Sequence, residues 1–487
     1  MFLRGRNLVV FVAFLLLGMF ASSILTLTIV RPSSLASGES GVSNGSTAKP
    51  GEFTAAELKK LSTAYHLIQD NYLTQIDRGK LIDGAVNGML DALNDPYSTY
   101  MDPKEAGQFQ DVLNSTFQGI GAEVSLEDGR VKVVSPIKGS PAEKAGILPN
   151  DLILSVNGEK LDGLTLTEAV SKIRGPKGSQ AKLGIMRSGM DSIEVIVVRD
   201  DIPVETIYSE MLEGQIGKIE IREYVSHTAQ KFKEALKQLE DQGMKGLVID
   251  VRSNPGGLFP AVIEMSEPFV PQGKPIVQVE DRDGQKQSTL SVKGTGKKYP
   301  VAVLINNGSA SASEIMAGAL QQMGGAKLVG EKTYGKGTVQ VTFDKELGDG
   351  SNIKMTIMKW LTPNGDWIHK KGIAPDIAVE QPAYFKVAPL SKKTVLRLDM
   401  TGDDVKNLQT MLVGIGQAPG RTDGYFNEQT VTAVKAFQRL NNLPVTGEVD
   451  EKTAVKLEEA VSKEIRNPKN DLQLKSAVNY VSGAAAK

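Results

Sequence analysis

The stretch VAVLINNGSASASEI, residues 301–315, joins a continuous apolar segment to a run of small and hydroxylated residues. Val301 to Ile305 contains no polar residue, which is typical of a strand buried on both faces of a parallel sheet. A helical pattern then continues to Gln322. The stretch therefore predicts a strand, a tight turn and a helix, with Ser311 in the turn.

A second stretch of the same kind, GLVIDV at residues 246–251, runs into RSNPGG at residues 252–257. Another strand is predicted at Ile216 to Ile221 and a helix at Thr228 to Gln242. Alternating strands and helices over residues 214–379 favour an open α/β sheet. Such sheets place functional sites at the carboxyl ends of their strands, where both stretches end.

Ser311 is placed like a nucleophile, because the following helix directs N–H groups and its positive dipole end at the turn. A serine hydroxyl needs a base to take its proton. The three histidines, His66, His227 and His369, lie far from these motifs in sequence. Lys336 can serve if its pKa falls from ~10.4 to roughly 7–8, a shift worth about 4 kcal/mol that burial can supply.

One competing motif is present and is rejected. Gly330 to Lys336 satisfies G-x-x-x-x-G-K, the opening of a phosphate-binding loop. The next residue is Gly337, not the Ser or Thr that would hold magnesium. Thr338 to Phe343 alternates like a strand, whereas the motif must open a helix.

The composition is that of a globular chain with several folded units. The chain has 487 residues, of which 40% are hydrophobic and 23% charged, so we expect three or four folded units. A net charge of −1 argues against a nucleic-acid partner. Cysteine is absent, which excludes thiol nucleophiles, disulfides and cysteine metal sites.

The amino terminus predicts a membrane anchor. Residues 1–6 hold two arginines, and residues 7–30 are uncharged over about 36 Å of helix, enough to cross a hydrocarbon core of about 30 Å. The charge bias predicts a cytoplasmic amino terminus and an extracytoplasmic remainder. A signal peptide cleaved at Ala21-Ser22-Ser23 is the alternative. Residues 31–52, rich in Ser, Gly and Pro, predict a flexible linker.

In residues 53–112 the apolar side chains recur with the period of an α-helix. Apolar residues recur at steps of three and four, at Leu58, Leu61, Tyr65, Ile68 and Tyr72. A second run, residues 81–93, ends at Asn94-Asp95-Pro96, a stop signal. We interpret the region as a helical cap or dimerisation region without a role in chemistry, and expect a homodimer.

Residues 113–199 change to short strands punctuated by glycine. The segments are FQGIGAEV at 117–124, SPAEKAGI at 140–147 and NDLILSVNG at 150–158. They resemble a PDZ domain, which binds a peptide carboxyl terminus as an added strand. The resemblance implies that the carboxylate meets the N–H groups around Gly119, Ile120 and Gly121. Arg174 either reads the carboxylate, gates the contact with the next domain, or is an exposed loop charge.

Three motifs together resemble the carboxyl-terminal processing proteases, serine peptidases with a Ser–Lys dyad and an embedded PDZ domain. They are SASASEI at 309–315, GEKTYGKGTVQ at 330–340 and DVRSNPGG at 250–257. The resemblance spans roughly residues 55–381. It implies a mixed α/β fold with a protease core of the ClpP/crotonase-like kind at residues 200–390. It implies no metal and no organic cofactor.

The resemblance also implies the site residues. Ser311 corresponds to the nucleophile, Lys336 to its base, and Gln340 to a glutamine that orients the lysine. The N–H groups of Ala312 and of the Gly256-Gly257 turn would bind the oxyanion that forms during acyl transfer.

Two points about the site stay open from spacing alone. Ser309 and Ser313 flank Ser311 and are equally candidates for the nucleophile. In a straight strand Lys336 and Gln340 would lie about 13 Å apart. Their contact therefore requires a curled backbone near Gly337; without it Gln340 is structural.

Three charged residues near the motifs have mainly structural interpretations. Glu314, at the start of the predicted helix, complements the helix dipole. Asp250 and Arg252 form a structural pair or line the substrate channel, and we favour the structural pair.

Residues 396–462 resemble a small helical peptidoglycan-binding domain, with Leu408-Gln409 and Phe437-Gln438 marking two similar half-repeats. The alternative is a packing or dimerisation module that has kept only the fold. This domain is typical of a Gram-positive spore-former type of the family. Residues 463–487 predict a frayed tail.

The sequence thus predicts a membrane-anchored serine endopeptidase that cleaves extracytoplasmic protein substrates with exposed carboxyl termini. The resemblance implies a role in sporulation signalling or in envelope protein processing. It also implies that the PDZ domain controls cleavage. The alternative is a catalytically inert PDZ and wall-binding adaptor. A wall hydrolase would need paired carboxylates or a metal site, which the motifs do not supply.

Overall fold

The computed structural model describes residues 52–486, except residues 114, 115, 128, 138, 139, 149, 165, 188–192, 204 and 393. The anchor predicted at residues 7–30 lies outside these residues, as does nearly all of the predicted linker. Within the described part of the chain, no helix has the length and apolar character needed to span a membrane.

The amino-terminal region forms helices that bury very little. Its elements are α1 (Ala55–Asn71), α2 (Arg78–Asp91), β1 (Thr99–Met101) and α3 (Pro103–Leu113). Thr54 caps α1, because its hydroxyl accepts from Glu57 N at 3.2 Å and Glu57 accepts from Thr54 N at 2.8 Å. No residue of α1 or α2 is buried. Leu58 and Ile68 remain 53% and 40% exposed, so the predicted apolar stripe faces outward.

The next unit is a small, mainly antiparallel β-structure. Its elements are β2 (Thr116–Gly119), β3 (Ala122–Glu127), β4 (Arg130–Pro136), α4 (Pro141–Lys144), β5 (Leu152–Val156), β6 (Glu159–Lys160), α5 (Leu166–Ile173), β7 (Gln180–Met186), β8 (Ile193–Val198) and β9 (Asp200–Pro203). The sheet order is β3-β4-β5-β7-β8, β6 pairs with β5, and β2 pairs with β9. A separate hydrophobic core, with Val131, Ile153 and Leu183 at its centre, holds the unit together.

The largest unit contains two sheets. Its elements are β10 (Ile207–Leu212), β11 (Ile216–Ile221), α6 (Thr228–Asp241), β12 (Gly246–Asp250), α7 (Phe259–Ser266), β13 (Pro275–Glu280), β14 (Lys286–Leu290), β15 (Val301–Ile305), α8 (Ala312–Gln322), β16 (Lys327–Gly330), β17 (Thr338–Phe343), β18 (Asn352–Leu361) and β19 (Ile377–Ala378). One sheet has the order β10-β11-β12-β15-β16-β19 and is parallel from β11 onward. The predicted α/β sheet is therefore confirmed.

The second sheet connects the amino-terminal region to this unit. It has the order β1-β18-β13-β14, and β17 pairs with β18. Thr99 of β1 lies opposite Lys354 of β18 in antiparallel register. The chain segment that follows α2 is therefore part of the main structure, although α1 and α2 are not buried in it.

The carboxyl-terminal region consists of α9 (Asp403–Gly414), α10 (Glu428–Leu440), α11 (Glu451–Arg466) and α12 (Leu472–Ala485). The predicted half-repeats are confirmed by matching hydrogen bonds. Gln409 accepts from Gly424 N at 3.0 Å and donates to Tyr425 O at 2.8 Å. Gln438 accepts from Gly447 N at 2.9 Å and donates to Glu448 O at 2.8 Å.

The prediction of a frayed tail at residues 463–487 is wrong. Leu474, Ala477 and Val481 of α12 pack on one face of the parallel sheet, against residues that include Val248 and Leu304. The opposite face of the sheet packs against the core that contains α6, α7 and α8. The last helix is therefore one of the two layers that cover the sheet, and its apolar positions follow helical spacing.

Candidate active site

Ser311 lies between β15 and α8, at the N-terminal end of the helix, as the sequence predicted. Its φ of 53° and ψ of −113° fall outside the regions that residues with a side chain normally adopt. Such a conformation stores on the order of 1–3 kcal/mol. A strained turn at a helix N-terminus suits a nucleophile, because the helix N–H groups favour negative charge that develops there.

The two neighbouring serines are occupied by structural hydrogen bonds. Ser309 Oγ donates to Val251 O at 2.8 Å, and Ser313 Oγ donates to Asn254 O at 2.9 Å. Both residues are completely buried. Since their protons are bound to backbone carbonyl groups, Ser311 is the better candidate for the nucleophile.

The Gly256-Gly257 turn packs directly against Ser311. A Cβ on Gly256 would lie 2.9 Å from Ala312 N and 2.9 Å from Ser311 Cβ, and Gly256 has a φ of 106°. Only glycine lacks the Cβ that would make these close contacts and also adopts this positive φ readily. The Gly256 N–H donates to Asn254 Oδ1 at 2.8 Å, which fixes the turn. The fold therefore brings the candidate oxyanion residues Gly256 and Ala312 together at Ser311, with Gly257 next in the chain.

Lys336 is almost completely buried, with 1% of its surface exposed. Burial, assisted by the positive charge of Lys354, lowers the pKa of Lys336 to about 7, although Asp95 and Glu314 act in the opposite direction. Its Nζ lies 4.8 Å from the centre of the Tyr97 ring. A lysine in this environment is largely neutral slightly above pH 7, which is what a general base requires.

Glu314 is the residue that links the serine turn to the lysine. Its Oε2 accepts from Ser311 N at 2.9 Å and from Lys336 N at 2.8 Å. Its Oε1 accepts from Thr333 Oγ1 at 2.6 Å and from Gly335 N at 2.7 Å. Burial raises the pKa of Glu314, and these four hydrogen bonds oppose that rise. The sequence had suggested only a helix-dipole role for Glu314, because three of its four partners lie 19 to 22 residues away.

Gln340 is completely buried beside a bulge in β18, where Ile357 is the extra residue. The register shifts between Val339 and Gln340, two to three residues beyond the Gly337 curl that the sequence suggested. Gln340 Nε2 donates to Thr338 Oγ1 at 3.0 Å and to Thr356 Oγ1 at 2.9 Å. Its Oε1 has no hydrogen-bond partner among the described residues, so the expected bond from Lys336 to that oxygen is not formed in this structure.

Three residues near Lys336 were missed by the sequence analysis: Asp95, Tyr97 and Lys354. Asp95 and Tyr97 come from the segment interpreted as a simple helix stop. Lys354 is 5% exposed on β18, and burial lowers its pKa to about 8. The alternation of Asn352, Lys354 and Thr356 on one face of β18 was the available signal for a buried polar surface.

His369 lies near the site in space although it is distant in sequence. Its Nδ1 accepts from Gly337 N at 3.3 Å, and its ring stacks on Trp367 at a centroid distance of 5.3 Å. Burial, together with the charge of Lys370, lowers the pKa of His369. A neutral imidazole therefore borders the strand that begins after Lys336.

The residues predicted to bind a peptide line one groove of the small β-unit. Gly119, Ile120 and Gly121 line it together with Arg174, which follows α5. Ala122, Val124, Val170 and Ile173 complete a cavity of about 200 Å³. Apolar walls beside a glycine loop suit an extended peptide that ends in an apolar residue.

Asp250 and Arg252 form a structural pair. Arg252 Nη2 lies 2.6 Å from Asp250 Oδ2 and 2.8 Å from Asp471 Oδ2. Since Asp471 caps α12, this arginine holds the last helix against the carboxyl end of β12. The predicted pair of Asp250 and Arg252 is therefore present, and both residues also line a cavity.

Comparison with known families finds four models that match successive parts of the chain. The model described as Peptidase family S41 matches residues 215–379, and the PDZ domain model matches residues 132–187. A peptidoglycan binding domain model matches residues 401–457. The model of the N-terminal domain of the activating protease CtpB matches residues 20–105.

Two proteins of Bacillus subtilis are similar over most of their length. The carboxy-terminal processing protease CtpB is 48% identical over 425 residues, which cover 86% of this chain and 88% of the relative. The carboxy-terminal processing protease CtpA is 42% identical over 473 residues, which cover 97% of this chain and 98% of the relative. Identity of this extent over nearly the full length of both chains shows that the protein belongs to peptidase family S41, as a carboxy-terminal processing protease that carries a PDZ domain and a peptidoglycan-binding domain.

Proposed function

We propose that Ser311 and Lys336 form the catalytic dyad of a serine endopeptidase. The observation that carries the proposal is the burial of Lys336, which lowers the pKa of its amine to about 7. The backbone N–H groups of Lys336 and Ser311 also donate to the same carboxylate oxygen of Glu314. A buried lysine without a function would be costly to retain, since its charged form is strongly disfavoured.

The reaction follows from these positions. Ser311 Oγ attacks the scissile carbonyl carbon while neutral Lys336 Nζ takes the hydroxyl proton. The N–H group of Ala312 and one N–H group of the Gly256-Gly257 turn bind the oxyanion. The C–N bond then breaks, Lys336 returns the proton to the leaving amine, and water hydrolyses the acyl-enzyme by the same route.

Gln340 has a defined place in this scheme. After Lys336 has taken the proton, its ammonium needs an acceptor in a buried site. Gln340 Oε1 is a buried acceptor that has no partner among the described residues. We assign Gln340 Oε1 as the acceptor for protonated Lys336. The hydrogen bond between them forms when substrate closes the site.

Cleavage of unfolded casein by the full-length protein tests the dyad. Ser311→Ala and Lys336→Ala should each abolish cleavage while the melting temperature stays at or above that of wild type. His369→Asn, which keeps an acceptor for Gly337 N–H, should remain active and so exclude the neighbouring imidazole as the base. Cleavage by Ser311→Ala would overturn the dyad, and a wild type that never cleaves would favour the inert PDZ and wall-binding adaptor.

For the location we propose that residues 7–30 anchor the protein in the cell membrane and that the protease acts outside the cytoplasm. The uncharged span and the arginines before it support this orientation. Protease digestion of intact spheroplasts should remove an epitope at the carboxyl terminus but not one at the amino terminus. Release of the protein into the medium would instead support cleavage after Ala21-Ser22-Ser23.

The substrates that we propose are envelope proteins with exposed carboxyl termini, including proteins processed during sporulation. The PDZ groove would bind their termini through Gly119, Ile120, Gly121 and Arg174 and so control cleavage. We further propose that residues 396–462 bind peptidoglycan. Sedimentation with purified cell-wall sacculi tests this, and a domain that stays in solution would be a packing module.

We also propose a homodimer formed through α1 and α2. Two helices that bury no residue are not stable alone in water, and their exposed apolar side chains require a cover. A second copy supplies the same apolar stripe. Light scattering should give the mass of a dimer for the wild type and that of a monomer for a variant with Leu58→Lys and Ile68→Lys.

A further inference from the structure

Lys336 lies between two peptide groups, and the group before it is hydrogen-bonded at both ends. Gly335 O accepts from Lys370 N at 2.8 Å, and Lys336 N donates to Glu314 Oε2 at 2.8 Å. Lys370 belongs to the chain segment at residues 362–373, here called the 362–373 loop, which follows β18. This peptide group is therefore fixed by the loop and by the buried carboxylate together.

The peptide group after Lys336 is held in the same manner. Lys336 O accepts from Trp360 Nε1 at 2.7 Å, and Gly337 N donates to His369 Nδ1 at 3.3 Å. Gly337 O, in the next peptide group along the chain, accepts from Trp367 Nε1 at 2.9 Å. The two tryptophans of the chain thus both donate to carbonyl groups beside the proposed base.

The 362–373 loop packs against Gly337 without space for a side chain. A Cβ on Gly337 would lie 2.9 Å from Trp367 Nε1 and 3.0 Å from His369 Cβ. The rings of Trp367 and His369 are stacked, with centroids 5.3 Å apart and planes inclined by 13°. The indole therefore supports the imidazole and also bonds to Gly337 itself, so both side chains act on the same residue.

The direction of the Lys336 side chain depends on these hydrogen bonds. The orientations of the two peptide groups beside a Cα atom define its φ and ψ, and so the direction of its Cα–Cβ bond. A lysine serves as a base only if its amine is held where the serine proton is transferred, and a displacement of about 1 Å can cost about 10²-fold in rate. Loss of one of these bonds would let the buried amine move.

His369 can accept the bond from Gly337 only as a neutral imidazole, because both ring nitrogens of the charged form are donors. Burial, together with the charge of Lys370, lowers the pKa of His369 and favours the neutral form, although Asp95 acts in the opposite direction. The environment of the ring therefore agrees with its role as an acceptor.

We propose that His369 and Trp367 are positioning residues that hold Gly337 and thereby fix the direction of the Lys336 side chain. The proposal rests on the proposed role of Lys336 as the base. Neither ring takes part in the proton transfer itself. Glu314 and the 362–373 loop together fix the backbone on both sides of the base.

Steady-state cleavage of fluorescein-labelled unfolded casein by the full-length protein tests the proposal at His369. His369→Leu removes the acceptor for Gly337 N–H. It should lower kcat about tenfold, the order expected when a buried donor loses its partner, with little change in KM. His369→Asn keeps an acceptor at the position of Nδ1, so its kcat should stay within about threefold of wild type.

Trp367→Phe tests the second side chain. It keeps an aromatic ring for the stack and removes the N–H that Gly337 O accepts, so kcat should fall about fivefold. Trp367 is 40% exposed, whereas Trp360 is 1% exposed, so this replacement disturbs the core less than a change at Trp360 would. Lys371→Ala is the control, because Lys371 is an exposed residue of the same loop and its loss should change neither kcat nor KM.

The pH profile separates a displaced base from a weakened fold. If the amine of Lys336 moves toward water in His369→Leu, burial no longer holds its pKa at about 7. The rise of kcat/KM with pH should then occur about half a unit or more above that of wild type. The charged groups that act on Lys336, namely Lys354, Asp95 and Glu314, are the same in every variant. Since His369→Asn also lacks the imidazole, its unshifted profile would exclude titration of His369 as the cause.

Full kcat in His369→Leu, or equal losses in His369→Leu and His369→Asn, would overturn the proposal. A loss confined to KM or an unshifted profile in His369→Leu would do the same. If its melting temperature shows that His369→Leu is unfolded, Trp367→Phe decides: a lowered kcat supports the proposal and a full kcat overturns it. An active Lys336→Ala would instead remove the base itself, and with it the proposed function.

Discussion

Ser311 and Lys336 donate their backbone N–H groups to the same carboxylate oxygen, Glu314 Oε2, at 2.9 Å and 2.8 Å. These distances place the two backbone nitrogens within about 6 Å of each other, although 25 positions separate the residues in sequence. One buried side chain therefore fixes the turn of the proposed nucleophile relative to the segment that carries the proposed base. The geometry of the proposed dyad depends on that carboxylate accepting from several donors at once.

Glu314→Gln should disrupt this arrangement while keeping the shape of the side chain. The amide replaces one oxygen by an NH₂ group, which must face two of the four donors that now point at Glu314. Buried donors without acceptors cost about 1–3 kcal/mol each, so the free energy of unfolding should fall by roughly 2–6 kcal/mol. Activity on casein should fall at least about tenfold.

Glu428→Gln is the matched control, because Glu428 lies exposed in the first turn of α10. Urea unfolding followed by circular dichroism measures both variants. If Glu314→Gln retained the stability and activity of wild type, the shared acceptor would not be what holds the dyad in place.

Lys336→Met should abolish cleavage and stabilise the protein near neutral pH. The pKa of Lys336 is about 7 in the folded chain and ~10.4 in the unfolded chain. Between these values the unfolded chain binds more protons, so the free energy of unfolding rises with pH. The destabilisation is complete below about pH 7 and absent above about pH 10.4, and it amounts to about 4 kcal/mol.

Thermal unfolding at pH 6.5 and at pH 10 checks the sign of this effect. Methionine has nearly the volume of lysine and no charge, so the gain in melting temperature should be large at pH 6.5 and small at pH 10. An equal gain at both pH values would mean that packing, rather than the buried amine, limits stability.

The strands and the catalytic motifs could be predicted because their signals are local. The apolar runs before Arg252 and Asn306 identify strands of the parallel sheet, and the residues after them identify its carboxyl edge. The family motifs then assign roles to single residues. Spacing alone left Ser309, Ser311 and Ser313 open, and Ser311 was chosen by family resemblance. A physical reason for that choice needed the structure, because it depends on which hydroxyl protons are bound to distant carbonyl groups.

The contacts of Asp95, Lys354 and α12 could not be predicted, because each is made across a large sequence separation. Ser98 Oγ, which donates to Asp95, accepts from Thr356 N only after β1 has paired with β18. The apolar face of α12 can be interpreted only once one face of the parallel sheet is known to need a cover. Asp471, which caps α12, forms an ion pair with Arg252, more than 200 residues away in sequence. Local propensity carries no information about such partners.

Lys354→Met should move the acid limb of the pH–activity profile. Lys354, with a pKa of about 8, is mostly positively charged near pH 7, and its charge helps to lower the pKa of Lys336. Its removal should raise the pKa of Lys336. Because only the neutral amine takes the serine proton, the rise of kcat/KM with pH should then occur roughly half a unit to one unit higher.

Lys354→Arg is the control, since it keeps a positive charge beside Phe109, whose ring centre lies 5.2 Å from Lys354 Nζ. Its profile should coincide with that of wild type between pH 5.5 and pH 9. Asp95 and Glu314 act on Lys336 with the opposite sign. A limb that moved to lower pH in Lys354→Met would show that these carboxylates, and not Lys354, dominate the change.

Gly121→Ala should abolish peptide binding by the PDZ groove. Gly121 has a φ of 75°, and a Cβ there would lie 2.4 Å from Ser140 Cβ and 2.9 Å from Ile202 Cδ1. The loop that holds Gly119 to Gly121 would have to move, and its N–H groups would no longer converge on a peptide carboxylate. Fluorescence polarisation of a labelled peptide with an apolar carboxyl-terminal residue should show binding weakened by about one order of magnitude or more in Kd.

Gly129→Ala separates the lost site from simple backbone strain. Gly129 has the same φ of 75° but nothing within 4 Å of the added Cβ, so both variants carry the strain and only Gly121→Ala carries the clash. Gly129→Ala should bind the peptide like wild type, and an amidated peptide should bind to neither. Equal binding by Gly121→Ala and Gly129→Ala would place the carboxylate site elsewhere in the domain, because a loop forced away from Ser140 could not keep its donors in position.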